Sequence, residues 1–102
     1  MSTTPEKMNS SKESEKLEKP SFYDIFYLND DYTPIDFVVA TLKIHFNKTE
    51  EEAYALAQQA PVEGKIKVAT TTFEIAETKT FIVNHVAQRN GFPLKSVFEK
   101  SI

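Results

Sequence analysis

The run Phe-Tyr-Asp-Ile-Phe-Tyr-Leu at 22–28, followed within six residues by a hydrophobic helical repeat, constrains this chain more than any other stretch. Aromatic and branched side chains at that density fit a strand. Asn29, Asp30 and Asp31 come directly after it. Thr33 then reads as a helix N-cap, with Pro34 in the first helical position and Asp36 three residues beyond the cap. The junction therefore sets short acidic and amide side chains between a hydrophobic strand and a hydrophobic helix. A ligand carrying both an ammonium and an apolar group suits such a place. The other reading of the same residues is a turn followed by a cap, with the side-chain oxygens spent on the backbone.

The repeat at 34–46 places Ile35, Val38, Val39, Leu42 and Phe46 on one helical face, and Phe37, Ala40 and Ile44 on a second apolar flank. Only Asp36 and Lys43 mark a charged stripe, so this helix is expected at the centre of the core, covered on more than one side. Thr49 and Glu52 form a capping box opening a second helix over about 50–60, whose inner face is Ala53, Leu56, Ala57 and Ala60. Pro61 is expected to end it. Residues 65–70 alternate with the period of a half-exposed strand after the turn at Gly64. Thr71 and Glu74 read as a third cap, and a helix to about Arg89 closes on Asn90-Gly91. Its inner arc is Ile75, Ile82, Val83, Val86 and Ala87, with Lys79 also falling inside the arc and Phe81 on the opposite face. A last strand runs over 94–100, with Leu94 and Phe98 on one face and Val97 on the other. The order β-α-α-β-α-β implies an α+β fold, a small three-stranded, mainly antiparallel sheet covered by three helices.

Residues 1–20 contain no aromatic residue and a single leucine, too little apolar surface to offset the entropy of ordering. They are expected to form a flexible arm before a folded domain at 21–102. The arm balances Lys7, Lys12, Lys16 and Lys19 against Glu6, Glu13, Glu15 and Glu18, so the net charge of −3 belongs to the folded part. With no basic stripe, nucleic-acid binding is not expected. The absence of cysteine removes disulfides, thiolate metal sites and a cysteine nucleophile. No apolar run is long enough to span a bilayer, and a monomeric cytoplasmic protein is the expectation.

Catalytic arrangements are missing. His45 sits at the edge of the first helix's apolar face and His85 on the outer face of the third, neither with a nucleophile or carboxylate at a useful spacing. No glycine-rich phosphate loop exists. Asn29, Asp30 and Asp31 look like part of a calcium loop, but its later glycine and glutamate ligands are absent. No catalytic residue, metal or cofactor is therefore expected.

Two motifs, Leu28-Asn29-Asp30-Asp31-Tyr32-Thr33-Pro34 and Glu74-Ile75-Ala76-Glu77-Thr78-Lys79, resemble those of the ClpS family, adaptors that deliver N-degron substrates to the Clp AAA+ protease. The similarity runs from about residue 19 to residue 100. It implies a pocket for the first residue of a substrate, usually Leu, Phe, Tyr or Trp. Asn29 and Asp30 match the family's contacts to the free α-amino group. Leu28, Asp31, Thr33, Ile35, Val38 and Leu94 match the side-chain pocket, with Ile35 at the gatekeeper position. Glu74, Thr78 and Lys79 match the surface for the N-terminal domain of a ClpA- or ClpC-type unfoldase. The sequence departs from the pattern where Pro61 replaces a histidine that also contacts the amino group, and where Ala57 and Ala60 replace larger pocket residues. Tyr27 stands at another pocket-side position. The resemblance thus implies a non-enzymatic adaptor, the alternative being a docking-only regulator of the unfoldase with a degenerate pocket.

Overall fold

A computed structural model of the chain describes residues 21–28 and 30–102, apart from the side chains of residues 60–63. The expected arm at 1–20 and Asn29 lie outside the described residues. The elements are β1 (Phe22–Leu28), α1 (Ile35–Phe46), α2 (Glu50–Glu63), β2 (Lys65–Thr72), α3 (Phe73–Arg89) and β3 (Lys95–Lys100). The strands form one sheet in the order β2-β1-β3, and β1 is antiparallel to both neighbours. The expected α+β architecture is what forms. Alternation of burial puts Ile25 and Tyr27 of β1, Ile66 and Val68 of β2, and Ser96 of β3 on the helix-covered face. Ile25 faces Ala69 while Phe26 faces Lys67, so Val68 is an extra residue in β2. This bulge lets Val68 and Ala69 both join the core.

Helix α1 begins one residue later than its sequence indicates. Pro34 is the cap residue, extended at ψ 142, and its ring has no acceptor for a side-chain cap bond; the Thr33 hydroxyl, expected as the cap, donates to Asp30 instead. Proline also drives the residue before it out of the helical region. Val39, Thr41 and Leu42 are buried. Phe37 meets the ring of Phe92 at 4.7 Å, but Ile44 on the same expected flank is 72% exposed, so the covering of that flank stops short of the last turn. Asn47 ends the helix in the left-handed region at φ 57, a conformation asparagine tolerates.

The capping box of α2 is formed: the Glu52 N–H donates to Thr49 Oγ1 at 3.1 Å and the Thr49 N–H to Glu52 Oε1 at 3.0 Å. Ala53 and Ala57 are buried in the core. Pro61 does not end this helix, which continues to Glu63. A proline deletes one N–H from the ladder near the helix end. Gly64, at φ 86, makes the reversal into β2.

β2 extends to Thr72, which caps α3 without a side-chain bond, so the expected Thr71–Glu74 cap does not form. The buried line of α3 is Ala76, Thr80, Val83 and Ala87. Ile75, expected inside, is 47% exposed. The helix ends in a Schellman turn, with the Phe92 N–H donating to Ala87 O at 2.9 Å and the Gly91 N–H to Gln88 O at 3.0 Å.

On the outer edge of β3, the Asn84 side chain acts as a short substitute strand. Its Oδ1 accepts the Ser96 N–H at 2.7 Å and its Nδ2 donates to Ser96 O at 3.0 Å. The sheet also gives the molecule two distinct ends. At one, Leu28 faces Lys65 and Lys95, so α1 sets out from it and α2 returns to it. At the other, Phe22 faces Thr72, directly before α3.

Candidate functional site

The end of the sheet marked by Leu28 gathers most of the candidate binding residues. Leu28 is half-buried and closes β1. Its pairing with Lys95 brings the preceding Leu94, 5% exposed, alongside the strand end. Ile35, 38% exposed, opens α1 and Val38, half-buried, follows one turn later on the same side. Asp31 is exposed. The partner expected for Asp30, Asn29, lies outside the described residues.

Asp30 is strongly engaged by its own loop. Oδ1 accepts the backbone N–H groups of Tyr32 at 2.8 Å and Thr33 at 2.7 Å, and Oδ2 accepts the Thr33 hydroxyl at 2.9 Å. Partial burial works to raise its pKa, but these three bonds outweigh burial and hold the carboxyl below the usual carboxylate range. The group is therefore a fixed anion at neutral pH. A carboxylate offers about four lone-pair sites, so one on Oδ2 remains for a further donor. For Asp30 the turn reading is what forms: its oxygens brace the loop, with one acceptor position left over.

Tyr27 does not line this end of the molecule. It is 1% exposed, meets the Phe46 ring at 6.0 Å, and its hydroxyl lies 2.8 Å from Thr41 Oγ1, which itself donates to Val38 O at 2.8 Å. Burial pushes the phenol far above its ordinary pKa, with the Thr41 bond pulling weakly the other way. Residue spacing does not reveal this pair, because Thr41 lies between apolar positions of the helical repeat. The Thr41 bond ties Tyr27 to the helix turn that carries Val38.

The second group of candidates lies on α3. Glu74 and Thr78 are exposed on its outer face, whereas Lys79 is half-buried. At about 100° per residue, Lys79 stands a quarter-turn away from Thr78, so the three do not form one flat patch. Lys79 instead approaches His45 at the end of α1, a neighbour the sequence did not indicate. Burial first, and the nearby Lys79 charge second, lower the His45 pKa below the ordinary imidazole range. His85, on the outer face, stacks on Phe81 at 5.9 Å between ring centroids. Among the described residues no group of three or more His, Asp or Glu side chains could hold a metal ion, and no helix is long and apolar enough to cross a membrane.

A three-stranded sheet carrying helices on one face, with a carboxylate anchored just past the end of β1, defines a small α+β domain. Residues 18–97 match the family model described as ATP-dependent Clp protease adaptor protein ClpS. The ClpS adapter protein of Bdellovibrio bacteriovorus is 45% identical over 85 residues, 83% of this chain and 75% of that protein. The ClpS adapter protein of Treponema denticola is 45% identical over 87 residues, 85% of this chain and 86% of that one. Among solved structures, Agrobacterium tumefaciens ClpS2 bound to L-phenylalaninamide superposes with a TM-score of 0.79 at 34% identity, covering 81% of this chain and 100% of that one. The chain belongs to the ClpS family of Clp protease adaptors.

Proposed function

We propose that this chain recognises proteins by a bulky hydrophobic first residue, Leu, Phe, Tyr or Trp, and presents them in the cytoplasm to a Clp unfoldase of the ClpA or ClpC type. The observation that carries this reading is the Asp30 carboxylate, anchored just past the end of β1 with one acceptor site unspent. L-phenylalaninamide, bound by the Agrobacterium relative, has a free ammonium, a benzyl group and an amide in place of the next peptide bond, and so stands in for the first residue of a chain. In this reading Asn29 and Asp30 take the ammonium. Leu28, Asp31, Thr33, Ile35, Val38 and Leu94 surround the side chain. Glu74, Thr78 and Lys79 dock the unfoldase.

Selectivity follows from the chemistry of the amino terminus. A free ammonium brings a charge and extra hydrogens to the anion, whereas an acetylated or internal nitrogen brings neither. Burial of one Leu or Phe side chain contributes about 1.5–3 kcal/mol, and each charged hydrogen bond about 1.5–3 kcal/mol. With Pro61 in place of a third polar contact, affinity is expected to be micromolar or weaker. The test is binding of a Phe-starting peptide beside its N-acetylated twin. Preference for the free terminus supports the reading, and equal affinity refutes the amino-group mechanism.

The engagement of Asp30 by its own loop favours one second reading, a docking-only regulator of the unfoldase. There, no degron peptide binds, and Asp30→Ala leaves unfoldase binding unchanged.

A further inference from the structure

We infer that the outer edge of β2 is a second contact for the substrate, pairing with the main chain of the residues that follow its first one. The inference rests on the function proposed above and extends the recognised element from one residue to a short segment. β2 forms one border of the sheet and β3 the other. The two borders are built differently. On β3 the Asn84 side chain occupies the N–H and C=O of Ser96. On β2, among the described residues, no backbone hydrogen bond from outside the sheet reaches residues 65–71. Alternate residues of an edge strand turn their N–H and C=O away from the neighbouring strand, so β2 presents a row of unspent donors and acceptors. Lysines ordinarily guard such an edge. β2 carries two, and both are drawn off it. Lys65 reaches back across the open face of the sheet, its Nζ 4.4 Å from the centre of the Phe26 ring and 3.1 Å from Glu99 Oε2 on β3. Lys67 leans the same way, with Nζ 3.9 Å from Asp24 Oδ2 on β1, and the Thr70 hydroxyl lies 2.6 Å from Asp24 Oδ1. Ile66 and Val68 are buried in the core. These side chains cover β1 or fill the core, and the outer border of β2 stays bare.

The occupant follows from where this edge begins. Lys65 opens β2 opposite Leu28, at the end of the sheet that gathers the candidate binding residues. A substrate held there by its first residue keeps its next residues beside the edge at high effective concentration. Running away from its anchor, it travels in the direction of β2, so the ladder it forms is parallel. Main-chain bonds read no side chain, which suits a site that takes many substrates once the first residue has qualified. An untethered segment gains only a few solvent-exposed hydrogen bonds and does not stay. The bulge at Val68 sets the length of the contact. Beyond it the border bends, which confines pairing to residues 65–67 of the chain and to about residues three to five of the substrate. The rest of the substrate is left free for the unfoldase.

The experiment titrates the full chain with L-phenylalaninamide and with a Phe-starting hexapeptide of uncharged residues without proline, and follows amide hydrogen exchange by NMR. The expected result is about tenfold tighter binding of the hexapeptide, with slowed exchange of N–H groups within residues 65–67 that L-phenylalaninamide leaves fast. Single N-methyl groups on the peptide backbone at positions three, four and five should alternate in effect, because only alternate residues of a paired strand face the neighbour. A loss of about fivefold is expected where the N–H faces β2, and little change at the position between. Equal effects at neighbouring positions overturn the edge contact, as does a hexapeptide that binds no tighter than L-phenylalaninamide. Slow exchange of the same groups in the peptide-free chain also overturns it. If that protection depends on protein concentration, the occupant is a second copy of the chain, and if it does not, the occupant is the segment 1–20. Failure of L-phenylalaninamide itself to bind refutes the first-residue reading, and the edge contact falls with it.

Discussion

Asp30 braces its own loop, and in the proposed function the same carboxylate also meets a substrate ammonium. Three donors from Tyr32 and Thr33 fix the loop, leaving a single acceptor position for anything from outside. Asp30→Ala is therefore expected to loosen the loop by about 1 kcal/mol, as loss of a helix-start cap does, and to cost degron peptides more than tenfold in affinity. Thermal melts and peptide titrations read the two effects separately. Because the Asp30 pKa is depressed, its stabilising bonds are fully present above the ordinary carboxylate range and are lost only as pH falls through the lower folded value. Peptide binding should thus hold steady from neutrality down to about pH 5, and weaken above about pH 8 as the peptide's own α-amino group loses its proton. Tyr27 behaves in the opposite sense. Its raised pKa means that stability is intact below about pH 10 and declines as pH rises beyond that. Tyr27→Phe should remove this alkaline sensitivity, measured as the melting temperature against pH, at a cost of about 1 kcal/mol for the Thr41 bond.

At the scale of elements, periodicity and turn chemistry carried the reading a long way. The order of six elements, the capping box at Thr49, the Asn90-Gly91 stop and the buried faces of β2 and α2 all follow from spacing and residue type. Helix starts were less well marked, because a threonine near a helix can bond elsewhere. Thr33 turns back to Asp30, and at Thr71 the strand continues one residue further. Ile44 and Ile75 show the limit of periodicity. It places a side chain on a face, but not within the reach of a neighbouring element, and both stay exposed at places the rest of the fold does not cover. The candidate binding residues were readable through two motifs, since Leu28 to Pro34 is contiguous. The approach of His45 to Lys79 was not, because it joins helices that are far apart in sequence. One element-scale prediction concerns Asn84. Ser96 is 1% exposed, so Asn84→Ala leaves its N–H and C=O without their partner and should cost about 1–3 kcal/mol, seen as a fall in melting temperature of several degrees.

For the whole molecule, the proposed function assigns the two ends of the sheet different tasks. The candidate degron residues cluster where Leu28 faces Lys65 and Lys95, while Phe22 faces Thr72 next to the start of α3 at the opposite end. Substitutions at the two ends should act independently. Glu74→Lys is expected to weaken unfoldase binding and leave peptide affinity unchanged, and Asp30→Ala to do the reverse, as calorimetry with each ligand would show. The Asn84 clasp bears on the company such a protein keeps. An exposed sheet edge is a template that any extended segment can join. Here the N–H and C=O of Ser96 are already taken, so that stretch of the border offers such a passer-by no foothold.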